Sequence, residues 1–356
     1  MNSSVARAQL FCDRFDLKIP VLLAPMAGAC PPTLSVAVAN AGGLGACGAL
    51  LMQPTEIIAW ADEFRAGSAG TFQVNLWVPD PPPYRDAVHE AALRAFLRGW
   101  GPEVPPAAGD VAPPDFAAQC DALLATGAPI LSSVMGLFPP HIVTRMKQKG
   151  VAWFANVSTV AEARAAEEAG ADVVVAQGME AGGHRGAFDA AFADRQMIGL
   201  FSLVPAIVDA VRIPVVATGG IADARGVAAA LMLGASAAQV GTGFLRCPEA
   251  KTHPAWADAL ARTAPEQTMV SRVFSGRPGR SIATEYVRAA SGPEAPVPAP
   301  YPVQRGLTAA MRTEAGQMGD VQRMQAWAGQ SCQLARAEPA GPLAQALWEG
   351  AQAMLG

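Results

Sequence analysis

Short runs rich in valine, isoleucine, leucine and phenylalanine alternate along the chain with alanine-rich stretches whose apolar residues recur at helical spacing. The runs are PVLLAPM (20–26), GLGACGA (43–49), TFQVNLWV (71–78), PILSSVM (129–135), VAWFANV (151–157), DVVVAQG (172–178), PVVATGG (214–220) and AAQVGTG (237–243). Strands this apolar on both faces belong in a parallel sheet that is covered on both sides. Eight of them alternating with helices predict an α/β fold, the TIM (β/α)8 barrel. Two of the helices have legible ends. In STVAEARAAEEAGA (158–171), Ser158 or Thr159 is a natural cap, Glu162 stands at capping-box distance from Thr159, and Gly170 stops the helix. Asp223 and Gly234 bracket DARGVAAALMLGA (223–235) in the same way.

Two regions break this rhythm. Residues 79–115 are proline-rich around one helical stretch, AVHEAALRAFLRG, and read as an insertion after the third strand. That loop lies on the face where barrels build active sites, so it fits either a functional insertion or a surface loop without function. The second region follows the eighth strand, from about residue 247. It holds a proline-rich linker (293–304) and then helices rich in Ala, Met and Gln. We expect residues 1–246 to form the barrel, and 247–356 a C-terminal lobe that closes over the barrel mouth and packs back on its outside.

Composition narrows the function. Of the 356 residues, 51% are apolar and only 16% charged, and the net charge of −4 offers no basic field for nucleic acid. No apolar run has the length of a membrane span, and the N-terminus lacks the apolar core of a signal peptide. The six cysteines are scattered, which suits reduced thiols in a cytoplasmic protein better than a disulfide frame or a metal site. A small-molecule enzyme is expected, as a monomer or a homodimer, with no nucleic-acid or membrane partner.

The strand ends carry the chemistry. Gly219 and Gly220 follow the seventh strand; Gly241, Thr242 and Gly243 follow the eighth. Loops at those two ends of a barrel bind phosphate through backbone N–H groups, and glycine lets the main chain approach the oxygens. Thr242 adds a hydroxyl donor, and the helix after Gly220 adds a favourable dipole. The sixth strand ends in QGMEAGGHRG. Gln177 can hydrogen-bond a planar heterocycle, and the Gly182–Gly183 turn places His184 over the mouth. A near-neutral pKa would let His184 act as a base or as a charged donor to an anion. His89, His141 and His253 read as structural. Met26 of the APMAG turn (24–28) fits either the face of a flavin or the ordinary core, and Asn75 either a cofactor contact or a strand cap. Glu180 and Arg185 read as solvated or helix-capping residues. The first strand is not followed by G-x-G-x-x-G, which argues against a Rossmann fold.

The succession APMAG, QVNLWVP (73–79), AQGMEAGGHRG (176–186), ATGGI (217–221) and QVGTGFLRCPEA (239–250) resembles the nitronate monooxygenase family, formerly 2-nitropropane dioxygenases. SGRPGRSIATEY (275–286) and AWAGQS (326–331) resemble its class I members. The resemblance implies FMN held by Asn75, Gln177, Gly182, Gly220, Gln239, Val240, Gly241 and Thr242, with Ala24, Pro25 and Met26 beneath the ring. It implies His184 as the catalytic residue. The implied reaction is flavin-dependent oxidation of an alkyl nitronate, or of the parent nitroalkane, with O2 consumed and a carbonyl compound and nitrite released. SSVMGLFP departs from the family pattern, which often has an aromatic residue or a His near Val134 and Met135; the change implies a drier, wider pocket. Two other readings stay open: a flavin-dependent enoyl-acyl-carrier-protein reductase using NAD(P)H, and a flavin-binding protein without turnover.

Overall fold

A computed structural model describes residues 3–356. Its strands are β1 (Val21–Leu23), β2 (Gly45–Gly48), β3 (Phe72–Trp77), β4 (Ile130–Val134), β5 (Ala152–Val157), β6 (Val173–Gln177), β7 (Gly183–His184), β8 (Val215–Thr218), β9 (Ala237–Val240), β10 (Thr268–Ser271) and β11 (Gly279–Ile282). Eight of them pair in the order β1–β9–β8–β6–β5–β4–β3–β2, all parallel. A Leu22–Leu44 bridge joins β1 to β2, with Leu23 N–H donating to Leu44 O at 2.9 Å. The ring is therefore a TIM barrel, and each of the eight barrel strands lies inside one of the runs read from the sequence.

Alternation along β3 shows how the barrel is filled. Phe72, Val74 and Leu76 face the surrounding helices, while Gln73, Asn75 and Trp77 face inward. At the N-terminal end the interior is dry: Leu22, Leu44, Ile130, Phe154, Val173, Val175 and Val216 pack there. The helix Ser3–Phe15 stoppers that end, with the rings of Phe11 and Phe15 at 6.1 and 5.0 Å from Phe154. Polar side chains gather at the opposite, C-terminal end, where Gln73, Asn75, Ser132, Gln177 and Gln239 line a cavity. Burial thus confines polar chemistry to one mouth.

The two capped helices form as Val160–Glu168 and Ala224–Met232, with Thr159 accepting from Glu162 N–H and Asp223 from Gly226 N–H. Glu162 reaches back one residue further than a capping box requires, to Ser158 N–H at 2.6 Å, and also takes Phe188 N–H at 2.8 Å.

After β9 the chain crosses the mouth and then returns. Its last helix, Ala340–Leu355, packs on the helices Ala224–Met232 and Pro32–Asn40, and Leu343, Leu347 and Trp348 join the outer core. This segment belongs to the helical ring as well as to the tail. The crossing segment shares its own core with the insertion: Leu93 and Leu97 of the helix Ala87–Leu97 pack with Phe274, Tyr286, Val303, Leu307 and Met311. Asp80 of the insertion pairs with Arg277 of the tail at 2.8 Å. The insertion is thus a structural partner of the lobe rather than a free surface loop. No helix among the described residues is long and apolar enough to cross a membrane.

Candidate active site

One cavity of about 410 Å3 opens at the polar end of the barrel. That volume falls in the range of small-molecule and cofactor sites, about 300–1,000 Å3. Ala24, Pro25, Met26, Asn75, Gln177, Gly182, His184, Gly219, Gly220, Gln239, Gly241 and Thr242 all line it. Val240 does not: its side chain is buried in the outer core of the barrel wall, and its carbonyl accepts from Ala24 N–H at 2.9 Å.

The glycine rim is built for close approach. Gly219 and Gly220 adopt φ of +115° and +66°, the left-handed region that L side chains avoid. At Gly182 a Cβ would stand 2.5 Å from Gly329 N and 2.9 Å from Thr242 Oγ1, so the loop after β6 meets the tail main chain to main chain and the Thr242 side chain of the loop after β9. The tail locks this junction: Gly329 N–H donates to Thr242 Oγ1 at 3.0 Å and Ser331 Oγ to Gly220 O at 2.6 Å. The Thr242 hydroxyl keeps its own proton for a ligand. The helix dipole expected beside Gly220 is already used, because Asp223 supplies the anion at that N-terminus and pairs with Arg225 at 2.5 Å.

The amides have more duties than their residue types suggest. Gln177 Nε2 donates to His184 O at 3.1 Å, and its Oε1 accepts from Gly186 N–H at 2.6 Å, so it braces the His184 loop as well as lining the cavity. Both Nδ2 bonds of Asn75 go to Ser132, at 3.0 and 3.2 Å. In the APMAG turn, Met26 N–H points at Cys30 Sγ, 3.2 Å away, and is not free for a ring above it. Gln73 Oε1 is buried at the cavity wall with no partner, an acceptor left for a ligand donor.

His184 is set by the tail. Its two-residue strand β7 pairs antiparallel with β11, Gly279 opposite His184. Its Nε2 lies 2.7 Å from Ser275 Oγ, and the ring sits between Trp77 at 4.8 Å and Trp327 at 4.9 Å. This surrounding overturns the expectation of a near-neutral imidazole. Burial, and then the charges of Arg277 and Arg305, push its pKa from 6.5 down to about 3, so the ring is neutral at pH 7. Arg185, expected at the surface, is buried; its guanidinium donates to Gly178 O at 2.7 Å, and burial holds its pKa down to about 10. Glu180 does cap a helix, accepting from Leu200 N–H at 3.0 Å.

Val134 and Met135 line the cavity, as do Leu50 and Leu51 after β2, two strands away in the barrel, so this flank is apolar. Met135 holds a left-handed φ of 64°, uncommon for a side chain of its size. Several lining residues are missing from the sequence reading: Gln73, Trp77, Asn156, Arg305, Trp327 and Ser331. Trp77 was reachable, standing two and four residues beyond inward-facing Asn75 and Gln73. The tail residues had no such periodic signal.

Known proteins resemble this chain over nearly its whole length. A family model described as nitronate monooxygenase matches residues 9–350. A probable nitronate monooxygenase of Staphylococcus aureus is 35% identical over 331 residues, covering 92% of this chain and 93% of the relative. The solved nitroalkane oxidase of Streptomyces ansochromogenes superposes with a TM-score of 0.86 at 36% identity, covering 97% of this chain and all of the other. The FabK protein of Thermotoga maritima superposes at 0.75 with 26% identity, covering 97% and 96%. With a family match over nearly its whole length and a barrel mouth of the kind described, the chain belongs to the nitronate monooxygenase family of enzymes.

Proposed function

We propose that this enzyme binds FMN in the barrel-mouth cavity and oxidises alkyl nitronates with O2. The observation that carries the reading is the meeting, in one cavity, of the 219–220 and 241–242 glycine rim with His184 between two indole rings. The residues suit the cofactor. The glycine rim, Gly182 and the Thr242 hydroxyl would take the phosphate, while unpartnered Gln73 Oε1 and the Asn75 and Gln177 amides border the space for a flavin ring. Ala24, Pro25 and Met26 would lie beneath it. Bound FMN supplies the one-electron acceptor for the nitronate. The overall reaction balances as two nitronates and one O2 giving two carbonyl compounds and two nitrites.

The protein's own part is to hold an anion near the ring, exclude water and manage one proton. The Ser275 hydroxyl lies 3.3 Å from Arg277 O and can donate to it. It then accepts from His184 Nε2–H, which leaves the lone pair on Nδ1. A neutral imidazole in that tautomer offers Nδ1 to the α-proton of a nitroalkane, but its lowered pKa makes it a weak base, so a nitronate, which needs no such step, is the favoured substrate.

The test is oxygen uptake by the FMN-loaded protein across nitronates, nitroalkanes and enoyl thioesters, alongside His184→Asn. Nitrite release with O2 uptake from nitronates is the expected result, with the slower nitroalkane turnover lowered at least about 100-fold in the variant while FMN stays bound. Fast anaerobic bleaching of the flavin by NAD(P)H, with turnover of enoyl thioesters alone, would instead make this a reductase.

A further inference from the structure

Arg305, on the short helix Val303–Leu307, is the one charged side chain among the described residues that lines the cavity. The other arginines of the tail segment 272–312 that are not exposed are engaged. Arg277 pairs with Asp80, Arg272 with Asp194, Arg280 donates to Met179 O and Thr268, and Arg312 donates to Gln325 and to Arg305 O. The Arg305 guanidinium has no carboxylate and no hydrogen-bond acceptor among the described residues. Its field reaches His184 and Tyr301, which ties it to the part of the cavity that holds the imidazole. A half-buried cation held without a counter-ion in an otherwise uncharged cavity is a place for an anion.

We propose that Arg305 is the substrate-anchoring residue of this enzyme, its guanidinium fork receiving the two nitro oxygens of the nitronate beside His184. The inference rests on the nitronate reading above and adds to it the group that recognises the charge. A nitronate, like a carboxylate, presents two coplanar oxygens, and a guanidinium meets such a pair with two parallel N–H groups where an ammonium offers a point charge. His184, being neutral, is not the cation that role requires. The apolar flank of Leu50, Val134 and Met135 then takes the alkyl part.

The experiment compares wild type, Arg305→Lys and Arg305→Met, each loaded with FMN. Inorganic nitrate, a planar anion that does not turn over, is titrated against the flavin band and against fluorescence of the nearby tryptophans. Arg305→Met is expected to weaken nitrate binding, and to raise KM for a nitronate, about 10- to 100-fold, with kcat within about threefold. KM for the neutral nitroalkane moves less than about threefold, and Arg305→Lys recovers part of the loss. No side-chain bond is removed by these changes, and Arg305→Gln serves the same comparison should Arg305→Met fail to fold. Nitrate affinity unchanged in a folded variant overturns the proposal, and so does loss of FMN, which would make Arg305 a cofactor contact. Nitrate binding that depends on Arg305 in a protein that oxidises no nitronate would leave the anion site standing and remove the functional reading instead.

Discussion

Asp80→Asn tests whether the lobe is held over the mouth by a buried ion pair. Arg277 is 1% exposed, and its only carboxylate partner among the described residues is Asp80, whose side chain is 24% exposed. Nη2 donates to Oδ1 at 2.9 Å, while Nε lies 2.8 Å from Oδ2 in an ionic approach that is not a well-aligned hydrogen bond. The one remaining acceptor is Ala187 O, at 3.5 Å. Removing one partner of such a pair strands the other charge and costs about 3–5 kcal/mol. Water reaches Asp80, so the low end, about 3 kcal/mol, applies. At an unfolding entropy of about 2.1 cal/mol/K per residue, that is a fall of about 4 °C in Tm for this chain. Calorimetry of the cofactor-free protein reads the shift. The double variant Asp80→Asn, Arg277→Met should recover most of it, because no buried charge is left alone. A single variant within about 1 °C of wild type, or a double variant no better than the single, refutes the reasoning.

Two further outcomes follow from burial. Because the folded pKa of His184 (about 3) lies below its unfolded value of 6.5, the neutral ring contributes stability that is complete above pH 6.5 and is lost as pH falls toward 3. Between those values the slope is up to about 1.4 kcal/mol per pH unit; a His184→Gln variant should lose less Tm than wild type between pH 6.5 and 4.5, and parallel curves would contradict the assignment. Leu347→Ala, at a residue 2% exposed in the last helix, should cost about 2–5 kcal/mol in urea or thermal unfolding if that helix completes the barrel ring. A loss below about 1 kcal/mol would make it a peripheral appendage.

The barrel was legible because its signal is local and repeated. Each strand is a run of a few buried apolar residues, and each helix cap is a contact within three or four positions, such as Thr159 to Glu162 or Asp223 to Gly226. The glycine rim and His184 were legible for the same reason: they follow strands directly, so finding the strands locates them at the mouth.

What the sequence by itself determined, then, is which residues reach that mouth. Tertiary structure alone decided what they meet there. Ser275, Arg305 and Trp327 stand 91, 121 and 143 positions beyond His184, and no periodicity ties an imidazole to partners so far along the chain. The pairing of β7 with β11, and the bridge from β11 to Trp327, bring Ser275 and Trp327 in, Arg305 arrives on the helix Val303–Leu307, and together they supply the burial and charge that keep His184 neutral. A side chain's type is written at its own position, but its protonation depends on the charges and the desolvation that distant segments bring to it.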